Sequence, residues 1–280
     1  SVWAKSNYHD DLIMDELNVK QHFRADEGPI IDQINDWIVQ ANDQYRPVLT
    51  PFLNPRQQYV AQTLVNSDDY VKLESFGGWQ SAEMRRLLFF PSYYQPQAAD
   101  FAVTGLEVDY PQKFAELHHR QIMGTLLGEG LEPASFGDIV TNGKRWQVVV
   151  TNQMARFVRE RIDHVGKIKV KWKPVQLEEL IVPEDDWEQL STTVSSLRID
   201  AIIAAGFNYS RNRAKQLLEH GLVQINWEEM QRPDYSVREH DMLSVRHAGR
   251  LRMDQVGSIT RKNKQRITSV SYTHLTLPTT

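Results

Sequence analysis

The residues of this chain best suited to chemistry on a ligand are cations at the start of a helix. Residues 210–226 read SRNRAKQLLEHGLVQIN. Ser210 is a helix N-cap residue type, and Ala214, Leu217 and Leu218 recur at the spacing of one buried helical face. Gly221 then marks a helix stop, with Leu222 beyond it. Arg211 and Lys215 stand one turn apart and share the solvent side. Cations there oppose the helix dipole, at about 0.3–1 kcal/mol each when exposed, so a sequence that keeps them uses the charge for a ligand. Amide N–H groups at a helix start, together with arginine forks, form a phosphate site. In LVQIN, Val223 and Ile225 are predicted to point inward and Gln224 and Asn226 outward; in DMLSVR, Leu243 and Val245 face in, Ser244 and Arg246 out. SITRKNKQRIT adds Arg261, Lys262, Lys264 and Arg266, read as a phosphate-contacting strand.

Other chemistry is poorly supplied. His118 and His119 are adjacent on a predicted helix, so they point apart, and neither has a histidine one turn on; a surface or packing role is the better reading than metal ligation. GEGLEPASFG follows a helix rather than a strand, so it is no dinucleotide turn. Neither a phosphate-cradling glycine loop nor a nucleophile elbow occurs. The chain has no cysteine, which excludes disulfides and thiolate chemistry. No catalytic residue, metal or cofactor is expected.

The elements that position the cations belong to a soluble globular chain of 280 residues, 41% hydrophobic and 24% charged. No eighteen-residue apolar run and no signal-peptide pattern occur, so no membrane contact and a cytoplasmic location are expected. The net charge of −4 hides an asymmetry. Residues 191–268 hold thirteen Lys and Arg against eight Asp and Glu, whereas residues 1–190 hold nineteen against twenty-eight. A basic module on an acidic body suggests one polyanion-binding end.

Three blocks precede and include that end. In residues 19–95, PIIDQINDWIVQA gives a helical stripe of Ile30, Ile31, Ile34, Trp37, Ile38 and Ala41. Asn54 and Pro55 then open a second helix, DYVKLESFGG is a strand, and SAEMRRLLFFP is a short helix or strand ended by Pro91: a small α/β unit. Residues 98–182 read β-α-β-β-α-β. FAVTGLEVDY is followed by a helix over PQKFAELHHRQIMGTLLGEG carrying Phe114, Leu117, Ile122, Leu126 and Leu127. Two strands meet at Asn142-Gly143, a second helix starts at a capping Asn152, and KIKVKWKPV is the last strand. That order is the ferredoxin-like unit shared by RRM domains, but RWQVVVT lacks the aromatics with which an RRM stacks bases. IVPEDDWEQLSTT is a linker or capping turn. In residues 191–268, Ile199, Ile202 and Ile203 mark a buried helix that Gly206 ends, with Phe207 packing beyond.

The third block resembles the S4 RNA-binding domain. RIDAIIAAGFNYSRNRAKQLLEHGLVQIN and YSVREHDMLSVRHAGRL match its R-L-D opening, the S-R at the second helix, G-x-V-x-V-N and D-x-[IL]-S-V-R. The resemblance implies a helix pair reading RNA shape and phosphates beside a β-ribbon, with Arg198, Ser210, Arg211, Lys215, Gln224, Asn226, Ser244 and Arg246 on that surface. QHFRADEGPIIDQINDWI, LTPFLNPRQQ, GGWQSAEMRR and LHHRQIMGTLLGEGLEPASFGDI are similar to the YlmH family of bacterial S4 proteins, from about residue 19 to 268. That family implies an α+β protein with a small N-terminal α/β unit, a ferredoxin/RRM-like middle domain and a C-terminal S4 domain. It also implies a non-enzymatic, monomeric factor that binds rRNA and tRNA on the large ribosomal subunit, assists rescue of stalled translation and is linked to cell division. Arg198-Ile199-Asp200 echoes the arginine-x-aspartate of pseudouridine synthases, but in S4 domains the aspartate belongs to the fold. The competing readings are an RNA-modifying enzyme, of pseudouridine synthase or methyltransferase type, and an adaptor for division proteins.

The C-terminal segment reads as foreign, and the N-terminal one is open. SYTHLTLPTT is one reading frame of a common transposase sequencing adapter, and Ser269 and Val270 fit it slightly upstream, so native sequence is expected to stop near Thr268. Met14 opens a plausible start, which leaves 1–13 as read-through or a real extension.

Overall fold

The computed structural model describes residues 23–182 and 187–272. Residues 1–22, with Met14 and the stretch before it, and residues 273–280 of the adapter-like segment lie outside the described residues. The chain divides at Pro183/Glu184 into two compact units.

The first unit opens with α1 (Gly28–Asp43), β1 (Val48–Leu53), α2 (Pro55–Val65), β2 (Val71–Phe76) and β3 (Arg85–Pro91). SAEMRRLLFFP, left open between helix and strand, is a strand: β3 lies between β1 and β2, antiparallel to both. Ile31, Ile34, Ile38 and Ala41 are buried against Val60, Ala61, Val71 and Phe89, as the helical period required. Asn54 accepts the Gln57 amide at 2.9 Å and caps α2. Glu27 is buried, and Arg56 grips both its oxygens at 2.7 and 3.2 Å. Burial raises the Glu27 carboxyl, but the hydrogen bonds and charges of Arg56 and Arg24 outweigh it and hold the value low.

Next come β4 (Val103–Asp109), α3 (His119–Gly128), β5 (Phe136–Thr141), β6 (Trp146–Thr151), α4 (Asn152–Arg161), the short pair β7 (His164–Val165) and β8 (Ile168–Lys169), and β9 (Lys171–Val175). The sheet order β5-β6-β4-β9, all antiparallel, is the ferredoxin-like arrangement. Local details differ from the sequence reading. The helix over 111–130 is confined to His119–Gly128; residues before it form turns, and Phe114 is 90% exposed. Asn152 does not cap α4: Thr151 does, accepting from the Met154 amide at 3.2 Å, while Asn152 Oδ1 accepts from Thr104 Oγ1. KIKVKWKPV splits at Val170 into β8 and β9.

One sheet face of this block packs Leu106, Val108, Trp146, Val148 and Val150 against α3 and α4. The opposite face, which an RRM keeps open, is covered. Val149 clusters with Phe52, Leu180, Trp79 and Met84, so the N-terminal block closes over it. Asp138 of β5 accepts the Glu83 and Met84 amides at 2.8 and 3.0 Å, and Arg86 donates to the Phe101 and Ala102 carbonyls. A Cβ at Gly137 would meet Phe52 at 2.8 Å, so that close approach needs glycine.

The second unit contains β10 (Glu188–Val194), α5 (Ile199–Gly206), α6 (Arg211–Glu219), β11 (Val223–Ile225), β12 (Glu228–Glu229), β13 (Met242–Val245), β14 (Gly249–Ile259) and β15 (Gln265–Tyr272). One antiparallel sheet runs β10-β15-β14-β13-β11-β12. The segment read as a linker is therefore a strand from Glu188 onward, pairing with β15 along seven positions. Ile199, Ile202, Ile203, Leu218, Leu243 and Leu251 form the fully buried centre. Among the described residues no helix is long and apolar enough to cross a membrane.

Candidate nucleic-acid interface

The helix pair is set by two glycines with different tasks. At the end of α6, Gly221 has φ +69°, its amide bonds the Leu218 carbonyl at 3.0 Å, and the Leu222 amide bonds that of Leu217 at 2.9 Å. That is the Schellman ending the sequence predicted. At the end of α5 the sequence reading is corrected. The left-handed residue is Asn208, φ 55°, and the closing bond runs from the Tyr209 amide to the Ala204 carbonyl at 3.0 Å. Gly206 is the last helical residue; a Cβ there would meet Leu251 Cδ1 at 2.1 Å, so glycine lets the helix lie on β14.

Ser210 caps α6, accepting the Arg213 amide at 3.1 Å. Arg211, the first helical residue, does not simply project into solvent. Its Nη2 donates to Asp200 Oδ1 at 2.8 Å and its Nη1 to Ser195 Oγ at 3.3 Å. Arg198 grips the same carboxylate through Nε (3.1 Å) and Nη2 (3.0 Å). Asp200 is wholly buried, while the two arginine side chains stay 41% and 42% exposed. Burial pushes the Asp200 carboxyl up; the hydrogen bonds from Arg198 and Arg211 and their charges outweigh it and hold it below the usual carboxylate value. The hydrogen bond to Asp200, with its charge, raises Arg198 in turn. One buried anion thus holds two cations in fixed orientation at the surface. The amides of Ile199 and Asp200 are taken by the Tyr235 and Pro233 carbonyls at 2.8 and 3.3 Å, so the start of α5 offers no such donors to a ligand. Lys215 is half-buried one turn along α6.

Gln224 and Ser244 stand directly opposite each other, and Ser244 stands opposite Arg250, giving one cross-strand row over β11, β13 and β14. The row ends on β12 at Glu229, across from Gln224. Arg246 is exposed just beyond β13. Asn226 departs from the outward alternation read from the sequence. With φ 49° it begins a two-residue hairpin turn with Trp227 (φ 69°), and its side chain is committed: Nδ2 donates to the buried Asp241 at 2.8 Å and Oδ1 accepts the Met242 amide at 3.0 Å. Both ends of its amide thus shape the ribbon, although the second N–H of Nδ2 has no partner among the described residues.

Arg261, Lys262 and Lys264 lie exposed in the turn joining β14 to β15, about 30 Å along the strand from Arg250 at ~3.3 Å per residue. They form a tip of their own, and only Arg266 is in a strand. Arg266 lines a shallow groove of about 490 Å³ with Ser191, Thr193, Ser258 and Thr268. Sequence reasoning missed Arg250 and Arg252, which stack on Trp227 and Trp187 at 5.6 and 5.7 Å. The signal was present: in GRLRM, Leu251 and Met253 are buried and the arginines alternate outward. Among the described residues no cluster of three metal-ligating side chains occurs.

Three families match successive parts of the chain: one described as "YlmH, N-terminal" over residues 27–94, one as "Putative RNA-binding domain in YlmH" over 96–179, and the S4 domain over 197–243. The chain is 38% identical over 251 residues to the "Ribosome-associated protein quality control protein P2" of Bacillus subtilis (strain 168), covering 90% of this chain and 97% of that protein. Among solved structures it is similar to "Cell division protein ylmH from Streptococcus pneumoniae", at 32% identity and a TM-score of 0.52, over 57% of this chain and 98% of that one.

Proposed function

The chain belongs to the YlmH family, and on that premise we propose that it is a cytoplasmic, ribosome-associated RNA-binding protein that performs no catalysis. Its finer role in this reading is to bind rRNA and tRNA on the large ribosomal subunit and to assist rescue of stalled translation, acting as a monomer. The B. subtilis relative, named for ribosome-associated quality control, supports the ribosomal setting. The observation that carries the reading is the Arg198–Asp200–Arg211 clamp beside the Ser210 cap: a buried carboxylate pre-orients two half-exposed guanidinium groups. Pre-orientation lowers the entropy lost when arginine forks bind phosphate. Gln224, Ser244, Arg246 and Arg250 extend the surface onto the ribbon, and the Arg261–Arg266 tip supplies a second contact. In this reading residues 191–268 supply these RNA contacts.

The enzyme reading makes the S4 domain deliver a catalytic middle block; its other form, from the Arg198-Ile199-Asp200 echo, asks Asp200 to act as acid or nucleophile. A wholly buried carboxylate that accepts three arginine N–H bonds is unsuited to either role. The adaptor reading rests on the acidic body of residues 1–190, and the Streptococcus relative's name as a cell division protein favours it. A 50S co-sedimentation titration across salt, with and without bound tRNA, tests the proposal. The expected result is binding that weakens steeply with salt, since each phosphate contact releases counterions. A log–log slope near zero would remove the basic-surface argument.

A further inference from the structure

The middle block cannot read RNA as an RRM does, because its open sheet face is filled by Phe52, Trp79, Met84 and Leu180 around Val149. We propose that it instead holds an RNA phosphate backbone along a basic edge made by the end of α4, the β7–β8 hairpin and the start of β9. This deepens the RNA-binding reading above and rests on it.

Residues 156–173 hold seven Lys and Arg against two Asp and Glu, within a region, residues 1–190, that is otherwise acidic. All seven cations are exposed. Arg156 pairs with Glu160, and Lys173 with Asp109. Arg159, Arg161, Lys167 and Lys171 form no salt bridge to a carboxylate among the described residues, while Lys169 lies near Asp163 and, after the hydrogen bond and charge of His164, helps hold that carboxyl low without forming a salt bridge. The three elements are tied together: the Val170 amide bonds the Asp163 carbonyl at 2.8 Å, and the Trp172 indole N–H bonds the Ile162 carbonyl at 3.0 Å. Val165, Val170 and Trp172 are buried in the core, which fixes the backbone from which the lysines project.

Local structure accounts for part of this charge. Arg159 and Arg161 lie in the last turn of α4, where cations offset the helix dipole, and lysines on the edge strand β9 discourage strand pairing. Neither argument needs Lys167 or Lys169 on the hairpin. The ligand chemistry follows from what is missing as well. A protein partner would be anchored by apolar or aromatic side chains, and none of the large exposed hydrophobic residues falls between 156 and 173. A phosphate backbone requires only spaced cations.

The test uses the full chain and a fluorescein-labelled duplex RNA hairpin, titrated across salt. The variant carries Lys167→Gln, Lys169→Gln and Lys171→Gln; a control carries Lys72→Gln, Lys113→Gln and Lys144→Gln, the same charge change at exposed positions elsewhere in this unit. The edge variant should bind more weakly, with a log–log salt slope shallower by about 2–3, near 0.9 per lost phosphate contact, and should melt like the parent. The control should keep the parental slope. An unchanged slope in the edge variant, with the parent still binding, overturns this inference alone; so does an equal change in the control. Displacement of the RNA by polyglutamate at equal charge would assign the edge to an acidic protein instead. A parent that fails to bind RNA overturns this inference and the reading beneath it together.

Discussion

Replacing Asp200 by asparagine keeps shape and removes charge at the centre of the candidate site. Asp200 accepts three bonds, from Arg198 Nε (3.1 Å), Arg198 Nη2 (3.0 Å) and Arg211 Nη2 (2.8 Å), with none of its surface exposed. Asparagine offers one oxygen. Placed at Oδ1, it keeps two of the bonds as neutral acceptors and sets its own NH₂ against Arg198 Nη2. A hydrogen bond to a charged group contributes about 1.5–3 kcal/mol and a neutral one about 1 kcal/mol. Losing one and weakening two comes to about 4–5 kcal/mol at mid-range, discounted by roughly half to about 2–3 kcal/mol because the half-exposed arginines can turn to water. For a unit of this size that lowers the melting temperature by about 10–20 °C. The pH dependence has a definite sign. Because the folded carboxyl sits low, its stabilising contribution is complete above the ordinary value of about 3.9 and is lost as pH falls below it. Parent and Asp200→Asn should therefore differ most at neutral pH and converge below about pH 4. Calorimetry of both proteins from pH 7 to pH 3 is the assay. Equal melting at pH 7, or a gap that widens in acid, would refute the clamp.

Arg211→Lys keeps charge but not the fork, so 50S affinity should fall by about 1 kcal/mol; the bond to buried Asp200 means it should also melt earlier than the parent, whereas Arg232→Lys, exposed beside Asp234, should change neither titration nor melt. Gly206→Ala drives a methyl against Cδ1 of the wholly buried Leu251 and should cost about 1–3 kcal/mol in a denaturant titration; a neutral result would mean that Leu251 has room to turn aside and that the site does not require glycine. Asn226→Ala loses the bonds to Asp241 and Met242 and a residue type that tolerates positive φ, so it should destabilise by about 1–3 kcal/mol, with RNA affinity of the folded fraction unchanged; an intact melt with weakened RNA binding would return Asn226 to the interface.

What the sequence determined by itself are features whose causes lie within a few residues. Ser210 caps because the amide it accepts is three residues away, and Gly221 stops α6 because a left-handed residue closes the bonds of that same turn. Val223, Ile225, Leu243 and Val245 are buried because strands alternate, and the β-α-β-β-α-β order follows from the succession of such local periods. Tertiary structure decided what depends on residues far along the chain. Gly206 looked like a helix stop, but its role is set by Leu251, 45 residues later. Asn226 alternates outward on paper and is drawn in by Asp241. Arg211 reads as a free cation, yet its orientation comes from Asp200 on the preceding helix. The sheet face of the middle block is open in any reading of that block alone and is closed by Phe52 and Trp79 of the block before it. Local hydrogen-bond geometry and periodicity are encoded at short range, whereas close approach, charge pairing and occlusion arise only when distant segments meet.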